Sequence, residues 1–231
     1  MHFEILVEDL SGKKLLEAVV PRILGPTHTC RVISYKGLGR IPPDMGREAD
    51  PCRRILLARL PQLLAGYGRA FASYHRNSPA AVIVVCDLDD KCLKAFRQEL
   101  LRIRSTCYPQ PTTRFCVAIE EGEAWLLGDL PAVKAAYPRA KDAVLNTYQP
   151  DSICGTWEKL ADAVFPGGAR QLAAQGWQTV GAEKSRWAEA IAPRMDVESN
   201  ASPSFRYFRA KLRELAGMPG PPAGGPDAGT G

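Results

Sequence analysis

The sequence predicts an α/β protein in which a parallel sheet is flanked by helices and followed by a helical C-terminal extension. Two observations predict this fold class. Short apolar runs alternate with longer segments whose apolar residues recur at helical spacing, which is typical of βαβ units. After residue 119 the apolar patterns have helical spacing only. The 231 residues, 45% of them hydrophobic, are enough to bury one large core.

Four segments are predicted to be strands. The first, HFEILVE, covers residues 2–8, and the second covers 29–35. The third, AAVIVVC, covers 80–86, and the fourth, RFCVAI, covers 114–119. Because helical segments separate these runs, we expect parallel strands joined by right-handed crossovers.

Helices are predicted between the strands and throughout the remainder of the chain. The first runs from the N-cap Ser11 through Arg22, the second covers 51–67 and the third covers about 89–105. The later helices are predicted at 131–139, 156–164, 167–175, 183–195 and 204–216. The last of these has Ser202 as its N-cap and Pro203 at its first position.

These elements predict three parts of the chain. Residues 1–130 form the α/β domain, and residues 131–216 form a helical C-terminal extension packed on it. Residues 217–231 are rich in Gly and Pro and are predicted to be disordered, because they can bury nothing.

Composition favours a cytoplasmic, soluble protein. The seven cysteines show no CxxC and no paired spacing, which favours reduced thiols. The start of the chain shows no secretory signal, and its apolar runs are shorter than the ~20 residues of a membrane span. The formal charge of +5 permits a polyanionic partner without requiring one.

Acidic residues follow three of the four predicted strands. They are Glu8 and Asp9 after the first strand, Asp87, Asp89 and Asp90 after the third, and Glu120, Glu121 and Glu123 after the fourth. The carboxyl ends of parallel strands meet at one edge of a sheet, so these groups should converge there. Convergent carboxylates without matching Lys or Arg suit Mg²⁺ or Mn²⁺.

The same acids also have simpler interpretations. Asp89 or Asp90 can be the N-cap of the following helix, and Glu120 and Glu121 can lie on a solvated helix face. A D-x-D pair is also found in nucleotide-sugar transferases, where it binds Mn²⁺ and a diphosphate. The phosphatase motif D-x-D-x-T is excluded, because Lys91 occupies the Thr position.

A Glu after the first strand and a D-x-D after the third resemble the Toprim domain of topoisomerases, primases and OLD-type nucleases. The matching residues are Glu8, Asp87 and Asp89. The chain is also similar to a family of small bacterial Toprim-like proteins that carry the segments matched here by EGEAWLLGD and NASPSF. In that family Gly usually follows the first Glu, whereas this chain has Asp9.

The resemblance implies metal-dependent cleavage of a phosphodiester. Asp87 and Asp89 would hold Mg²⁺ or Mn²⁺, and Glu8 would complete the site or act as general base. Either Glu121 or Glu123 would complete a second metal site. Lys91 would neutralise the scissile phosphate, although a solvated Lys is the simpler interpretation. The resemblance also implies an ABC-like or SMC-like ATPase partner in an anti-phage system.

Basic residues near the C-terminal end are candidates for contacting nucleic acid. The last helix is rich in Arg and Lys, and Lys184, Arg206 and Arg209 would form a phosphate-contacting face. A solvated helix face is the alternative. The four tryptophans, Trp125, Trp157, Trp177 and Trp187, are predicted to be core residues.

Together these observations predict a metal-dependent nuclease acting on DNA or RNA. A non-catalytic subunit that regulates a partner ATPase is the alternative, and a nucleotidyl or glycosyl transferase is a third. The sequence contains no GxxxxGK[ST] segment, so ATP hydrolysis in such a system would belong to another chain.

Overall fold

The computed structural model describes residues 1–36, 55–74, 79–153 and 155–218. Its strands are β1 (His2–Val7), β2 (Thr29–Ser34), β3 (Ala80–Asp87) and β4 (Thr113–Ala118). Its α-helices are α1 (Leu10–Leu24), α2 (Leu56–Ala72), α3 (Leu93–Thr106), α4 (Glu123–Leu127), α5 (Leu130–Ala136), α6 (Asp142–Leu145), α7 (Thr156–Val164), α8 (Gly168–Ala173), α9 (Trp177–Ile191) and α10 (Pro203–Ala216). A 3₁₀ turn at Ala192–Arg194 follows α9.

The predicted parallel sheet flanked by helices is confirmed. The strand order is β2-β1-β3-β4, and each neighbouring pair is parallel. Val7 at the end of β1 pairs with Ser34 of β2 and Val85 of β3, and Asp87 pairs with Ala118 of β4. The residues that follow β1, β3 and β4 therefore emerge side by side at one edge of the sheet.

Both faces of the sheet are buried, which explains the continuous apolar strands. Phe3, Ile5 and Val7 face a large cluster that also includes residues of α1, α4, α9 and α10. Leu6 and Val84 face a second cluster formed with α2 and α3. The helices after residue 130 therefore share a hydrophobic core with the N-terminal sheet and α1.

The structure confirms the predicted bounds of α7 and the predicted start of α10, and two predicted segments extend beyond the described residues. Helix α7 has the predicted bounds, and α10 begins at Pro203 with Ser202 as its N-cap, whose hydroxyl accepts from the Phe205 amide at 3.1 Å. Residues 51–54 of the predicted second helix and residues 219–231 of the predicted tail lie outside the described residues. None of the described helices has the length and apolar character that crossing a membrane requires.

The N-cap of α1 is Asp9, and the prediction of Ser11 is wrong. Asp9 Oδ1 accepts from the Gly12 amide at 2.7 Å, and the Ser11 hydroxyl donates to Asp9 Oδ2 at 2.7 Å. A carboxylate at this position satisfies an amide of the first turn and is favoured by the helix dipole. The departure from Gly after Glu8 thus supplies the cap of the next helix.

Helix α3 begins later than predicted because the chain after β3 continues to pair with the chain after β4. The Leu88 amide donates to the Ala118 carbonyl, and the Asp89 amide donates to the Glu120 carbonyl, both at 2.9 Å. Asp89 has a φ of 50°, which a right-handed helix cannot accommodate. The helix therefore starts at Leu93, and the prediction that Asp89 or Asp90 caps it is wrong.

Three of the four tryptophans are core residues as predicted. Trp125, Trp157 and Trp187 are buried, whereas Trp177 is 76% exposed, so that prediction is wrong. Trp177 is the first residue of α9, and its ring meets Trp157 edge-on with centroids 6.1 Å apart.

Candidate functional site

A narrow acidic pocket lies at the carboxyl edge of the sheet. Its polar lining includes Glu8, Asp9, Asp87 and Glu123, and its floor is apolar, with Trp125 and residues at the ends of β1, β3 and β4. The free volume of about 20 Å³ accommodates one or two occupants the size of a water molecule or an ion.

The strand register explains why Glu8 and Asp87 meet. Val7 pairs with Val85 across β1 and β3, so Glu8 emerges beside the last residues of β3. The Asp87 carboxyl group also faces the turn before α4, where a Cβ placed on Gly122 would lie 3.9 Å from Asp87 Oδ1. This part of the predicted convergence of acids is observed.

The electrostatics of Asp87 indicate excess negative charge. Burial raises the pKa of Asp87 well above its usual range, and the neighbouring charge of Glu8 raises it further. Asp9 and Glu123 act in the same direction, whereas Lys184 lowers it. The Asp87 carboxyl group receives no hydrogen bond from the residues that the structure describes.

Lys184 of α9 lies among these acids, where no local pattern of the sequence had placed a basic residue. Its Nζ lies 3.0 Å from Glu123 and 3.4 Å from Glu121. Burial alone would lower the pKa of Lys184, but the carboxylates of Glu123, Glu121, Asp87 and Asp9 raise it above its ordinary value. The expectation of acids without a matching base is wrong, and Lys184 is paired with Glu121 and Glu123, so its predicted contact with nucleic acid stays a prediction.

The acids of the turn before α4 keep raised pKa values in spite of Lys184. Burial raises the pKa of Glu121 to about 7, while Lys184 lowers it and Glu123 and Glu158 raise it. Burial also raises the pKa of the Glu123 carboxyl group. A single ammonium group therefore does not balance the carboxyl groups around it.

Asp89 and Lys91 lie apart from this pocket. Lys91 Nζ is 2.6 Å from Asp89 Oδ2, and the Asp89 side chain is 45% exposed. The positive φ of Asp89 orients this loop so that Asp87 lines the pocket and Asp89 does not. The prediction that Asp87 and Asp89 act as a ligand pair is thus not supported by their placement.

Glu120 has a structural role at the start of α7. Its carboxylate accepts from the Gly155 amide at 2.8 Å, from the Thr156 amide at 3.0 Å and from the Thr156 hydroxyl. These bonds tie the chain after β4 to α7 and fix the turn that carries Glu121 and Glu123. The expectation that Glu120 joins the convergent acids is therefore wrong.

The two segments that carry the family resemblance interlock. The Trp125 indole donates to the Ser204 hydroxyl at 2.8 Å, and the Asn200 amide group donates to the Trp125 carbonyl at 2.8 Å. The Trp125 ring also stacks on Phe208, with centroids 5.0 Å apart. Segments about 75 residues apart in sequence thus hold α4, and with it Glu123, against α10.

The basic face predicted on α10 is largely used internally. Arg209 is buried, and its guanidinium donates to the backbone carbonyls of Val197 and Glu198. Arg206 is exposed and donates to the Ala201 carbonyl at 2.9 Å. The structure therefore gives Arg209 a structural role in holding the segment before α10, and its contact with nucleic acid stays a prediction.

The side chains that line the acidic pocket have the donor atoms that a hard divalent cation prefers. Its polar side chains offer carboxylate oxygens, and Asp87 is half-buried beside Glu8 with its pKa raised. Nevertheless, within the described ranges no three His, Cys, Asp or Glu side chains are grouped as a ready-made metal site. Glu8, Asp87 and Glu123 would have to approach each other around the ion.

Fold and site define a parallel α/β protein with an acidic pocket at the carboxyl edge of its sheet. Residues 7–213 match the family described as "Domain of unknown function (DUF4276)", and the chain belongs to this family. A comparison with curated proteins and a comparison with solved structures found no match.

Proposed function

We propose that the protein is a divalent-metal-dependent nuclease that hydrolyses phosphodiester bonds in DNA or RNA. The observation that supports this most directly is Asp87, which is held by two neighbouring strands beside Glu8 with its pKa raised well above its usual range. Strongly perturbed acids in a pocket are typical of functional sites. The resemblance of Glu8 and Asp87 to the Toprim pattern supports the same activity.

Mg²⁺ or Mn²⁺ would be held by Glu8 and Asp87, with Glu123 as a third ligand. When bound, the ion stabilises negative charge on the phosphodiester oxygens. Glu8 also orients the attacking water and accepts its proton, since it lies at the pocket wall between β1 and α1. Lys184 holds Glu121 and Glu123 in place, so it positions acids and does not contact the substrate.

The remaining predicted residues have peripheral roles in this proposal. Lys91 is half-buried and paired with Asp89, so a substrate phosphate would compete with Asp89 for the ammonium group. Arg206 is exposed at the start of α10 and is available to a polyanion. The ABC-like or SMC-like ATPase partner and the role in anti-phage defence, in the cytoplasm, remain part of the proposal through the family resemblance.

A second candidate function is a non-catalytic subunit that regulates a partner ATPase. The observation that favours it is the Lys184 ammonium group, which already neutralises part of the acid cluster. In this case the acids and Lys184 would form an ionic network that holds α9 against α1 and α4.

The test compares Glu8→Gln with the matched control Glu17→Gln. Glu17 is exposed on α1 and pairs only with Lys13, at 3.6 Å, in the described residues, so its substitution changes the charge equally. Supercoiled plasmid, single-stranded DNA and RNA are incubated with each protein in Mg²⁺, Mn²⁺ or EDTA, with and without the product of an adjacent ATPase gene.

We expect metal-dependent cleavage by the wild type and the control, and none by Glu8→Gln, because an amide is neither a base nor an anionic ligand. Cleavage that persists in Glu8→Gln refutes the role of Glu8. If no substrate is cut even with the ATPase present, and Glu8→Gln alters the ATPase rate, the regulatory function is correct.

A further inference from the structure

A second pocket lies on the opposite face of β4 from the acidic pocket. It has a volume of about 210 Å³, which is below the ~300–1,000 Å³ of a pocket for a drug-sized ligand and therefore fits a single ring system. Its apolar lining comes from Phe115, Val117 and Ile119 of the β4 segment and from Leu93 at the start of α3. Because β4 is an edge strand of the described sheet, this part of its face is not completely covered.

The rim of this pocket is aromatic and cationic. The Arg97 guanidinium lies over the Tyr207 ring at 5.7 Å from the centroid, and Lys211 approaches the same ring at 5.6 Å. Both Arg97 and Tyr207 line the pocket. Arg97 is exposed and forms no ion pair with an acid in the described part of the chain. An apolar floor with an unneutralised guanidinium at its mouth suits a flat ring that carries a phosphate.

Asp151 adds one hydrogen-bond acceptor to the lining. Its Oδ1 accepts from the Ser202 hydroxyl and its Oδ2 from the Ser204 amide, both at 2.6 Å. An ionised carboxylate has about four lone-pair sites, so these two bonds leave Asp151 able to accept from an N–H group on the edge of a ring. A nucleobase has the planar faces and the N–H edge that such a lining recognises.

The position of this pocket relates it to the acidic pocket. Val117 and Ile119 line the second pocket, whereas Ala118 between them lines the acidic pocket. Ala118 is also the register partner of Asp87. A strand of nucleic acid that crosses the carboxyl edge of the sheet can therefore place a phosphodiester at Asp87 and a neighbouring base in the second pocket.

We propose that this pocket, formed by β4, α3 and α10, binds one unpaired nucleobase of the substrate, with Arg97 contacting the phosphate attached to it. This inference rests on the proposed nuclease function, which supplies the substrate class. The base must be unpaired, because a pocket for one ring excludes its Watson–Crick partner. The site therefore selects single-stranded nucleic acid or the frayed end of a duplex.

The test measures binding without cleavage, in EDTA and with the full chain. The probes are AMP, adenosine, inorganic phosphate and a fluorescein-labelled single-stranded hexanucleotide, followed by calorimetry or fluorescence anisotropy. Arg97→Ala removes the phosphate contact, and Leu93→Trp fills the mouth of the pocket at a position that is already 37% exposed. Arg102→Ala is the matched control, since Arg102 is an exposed cation on the same helix that does not line the pocket.

We expect AMP to bind more tightly than adenosine or phosphate. Arg97→Ala should weaken AMP and the hexanucleotide about tenfold, as loss of a charge-assisted hydrogen bond implies, and Arg102→Ala should not weaken AMP. Leu93→Trp should abolish AMP binding. The proposal is overturned if Arg97→Ala and Leu93→Trp bind both probes like the wild type, or if these variants lose association with an ATPase subunit while nucleotide binding is unchanged. Base binding that is intact in a protein that cuts nothing refutes the nuclease function and leaves this site standing.

Discussion

The interlock between α4 and the segment before α10 predicts that replacing Gly128 by alanine destabilises the protein. Gly128 has helical backbone angles, so an alanine there is conformationally acceptable. Its added Cβ would lie 2.2 Å from Asn200 Oδ1 and 3.0 Å from Ser202 Cβ, which is closer than atoms approach. Asn200 is 1% exposed, so its side chain cannot move aside without disturbing the groups packed around it. Gly128→Ala must therefore displace the Asn200 side chain.

The cost follows from the bonds that Asn200 makes. Its Nδ2 donates to the Trp125 carbonyl at 2.8 Å, and its Oδ1 accepts from the Ser202 amide at 2.9 Å. Each buried partner left unsatisfied costs about 1–3 kcal/mol, and the gain from replacing Gly by Ala in a helix offsets up to about 1 kcal/mol. We expect the free energy of unfolding to fall by about 3 kcal/mol and the Tm by roughly 6–12 °C.

The assay is urea unfolding followed by tryptophan fluorescence, with Gly66→Ala as the control. Gly66 lies inside α2, and a Cβ added there meets nothing within 4 Å. The same substitution should therefore stabilise the protein by about 0.5–1 kcal/mol. Equal free energies of unfolding for Gly128→Ala and the wild type would refute the interlock. A Gly66→Ala variant less stable than the wild type would show that the stabilisation expected from replacing Gly by Ala inside a helix is wrong.

Three further predictions concern single side chains. Burial raises the pKa of Glu121 from 4.5 to about 7 in the folded state, so its contribution to the free energy of unfolding should be complete below pH 4.5 and lost as the pH rises through 7. In unfolding measured from pH 4 to 8, Glu121→Gln should reduce this dependence of the free energy of unfolding on pH. Trp187→Ala should lower the free energy of unfolding by about 3–5 kcal/mol, whereas Trp177→Ala should have little effect in the same urea titration. Ser202→Ala should cost about 1–2 kcal/mol by calorimetry, through loss of the α10 cap.

The sequence was sufficient for the strands because their character is local. Strands buried on both faces are nearly continuous apolar runs, and β1, β3 and β4 could be located from HFEILVE, AAVIVVC and RFCVAI alone. Their parallel order brings Glu8 and Asp87 together without any further information. The cap at Ser202 was predictable for the same reason, since its signal lies within four residues.

The errors share a physical cause, which is contact between residues distant in sequence. Lys184 lies about 60 residues beyond Glu121, and the packing of α9 against α1 and α4 brings its ammonium group to Glu121 and Glu123. Asp89 leaves the pocket because its amide pairs with the Glu120 carbonyl, a bond that depends on the neighbouring strand. Arg209 appeared to be a surface cation, although its partners are carbonyls before α10. No local pattern contains these contacts.

The contrast between two acids on neighbouring strands supports a functional interpretation of the pocket. Glu4 on β1 is buried, and Arg31, Tyr67 and His2 surround its carboxylate at 2.8–3.2 Å. This is how the fold neutralises an acid that it buries for structural reasons. Asp87 instead faces Glu8, and burial and that charge raise its pKa. Lys184 reduces this excess without removing it, because its close contacts are to Glu121 and Glu123. Two acids that neighbouring strands hold together, one of them with its pKa raised by the charge of the other, form an arrangement that a divalent cation would stabilise.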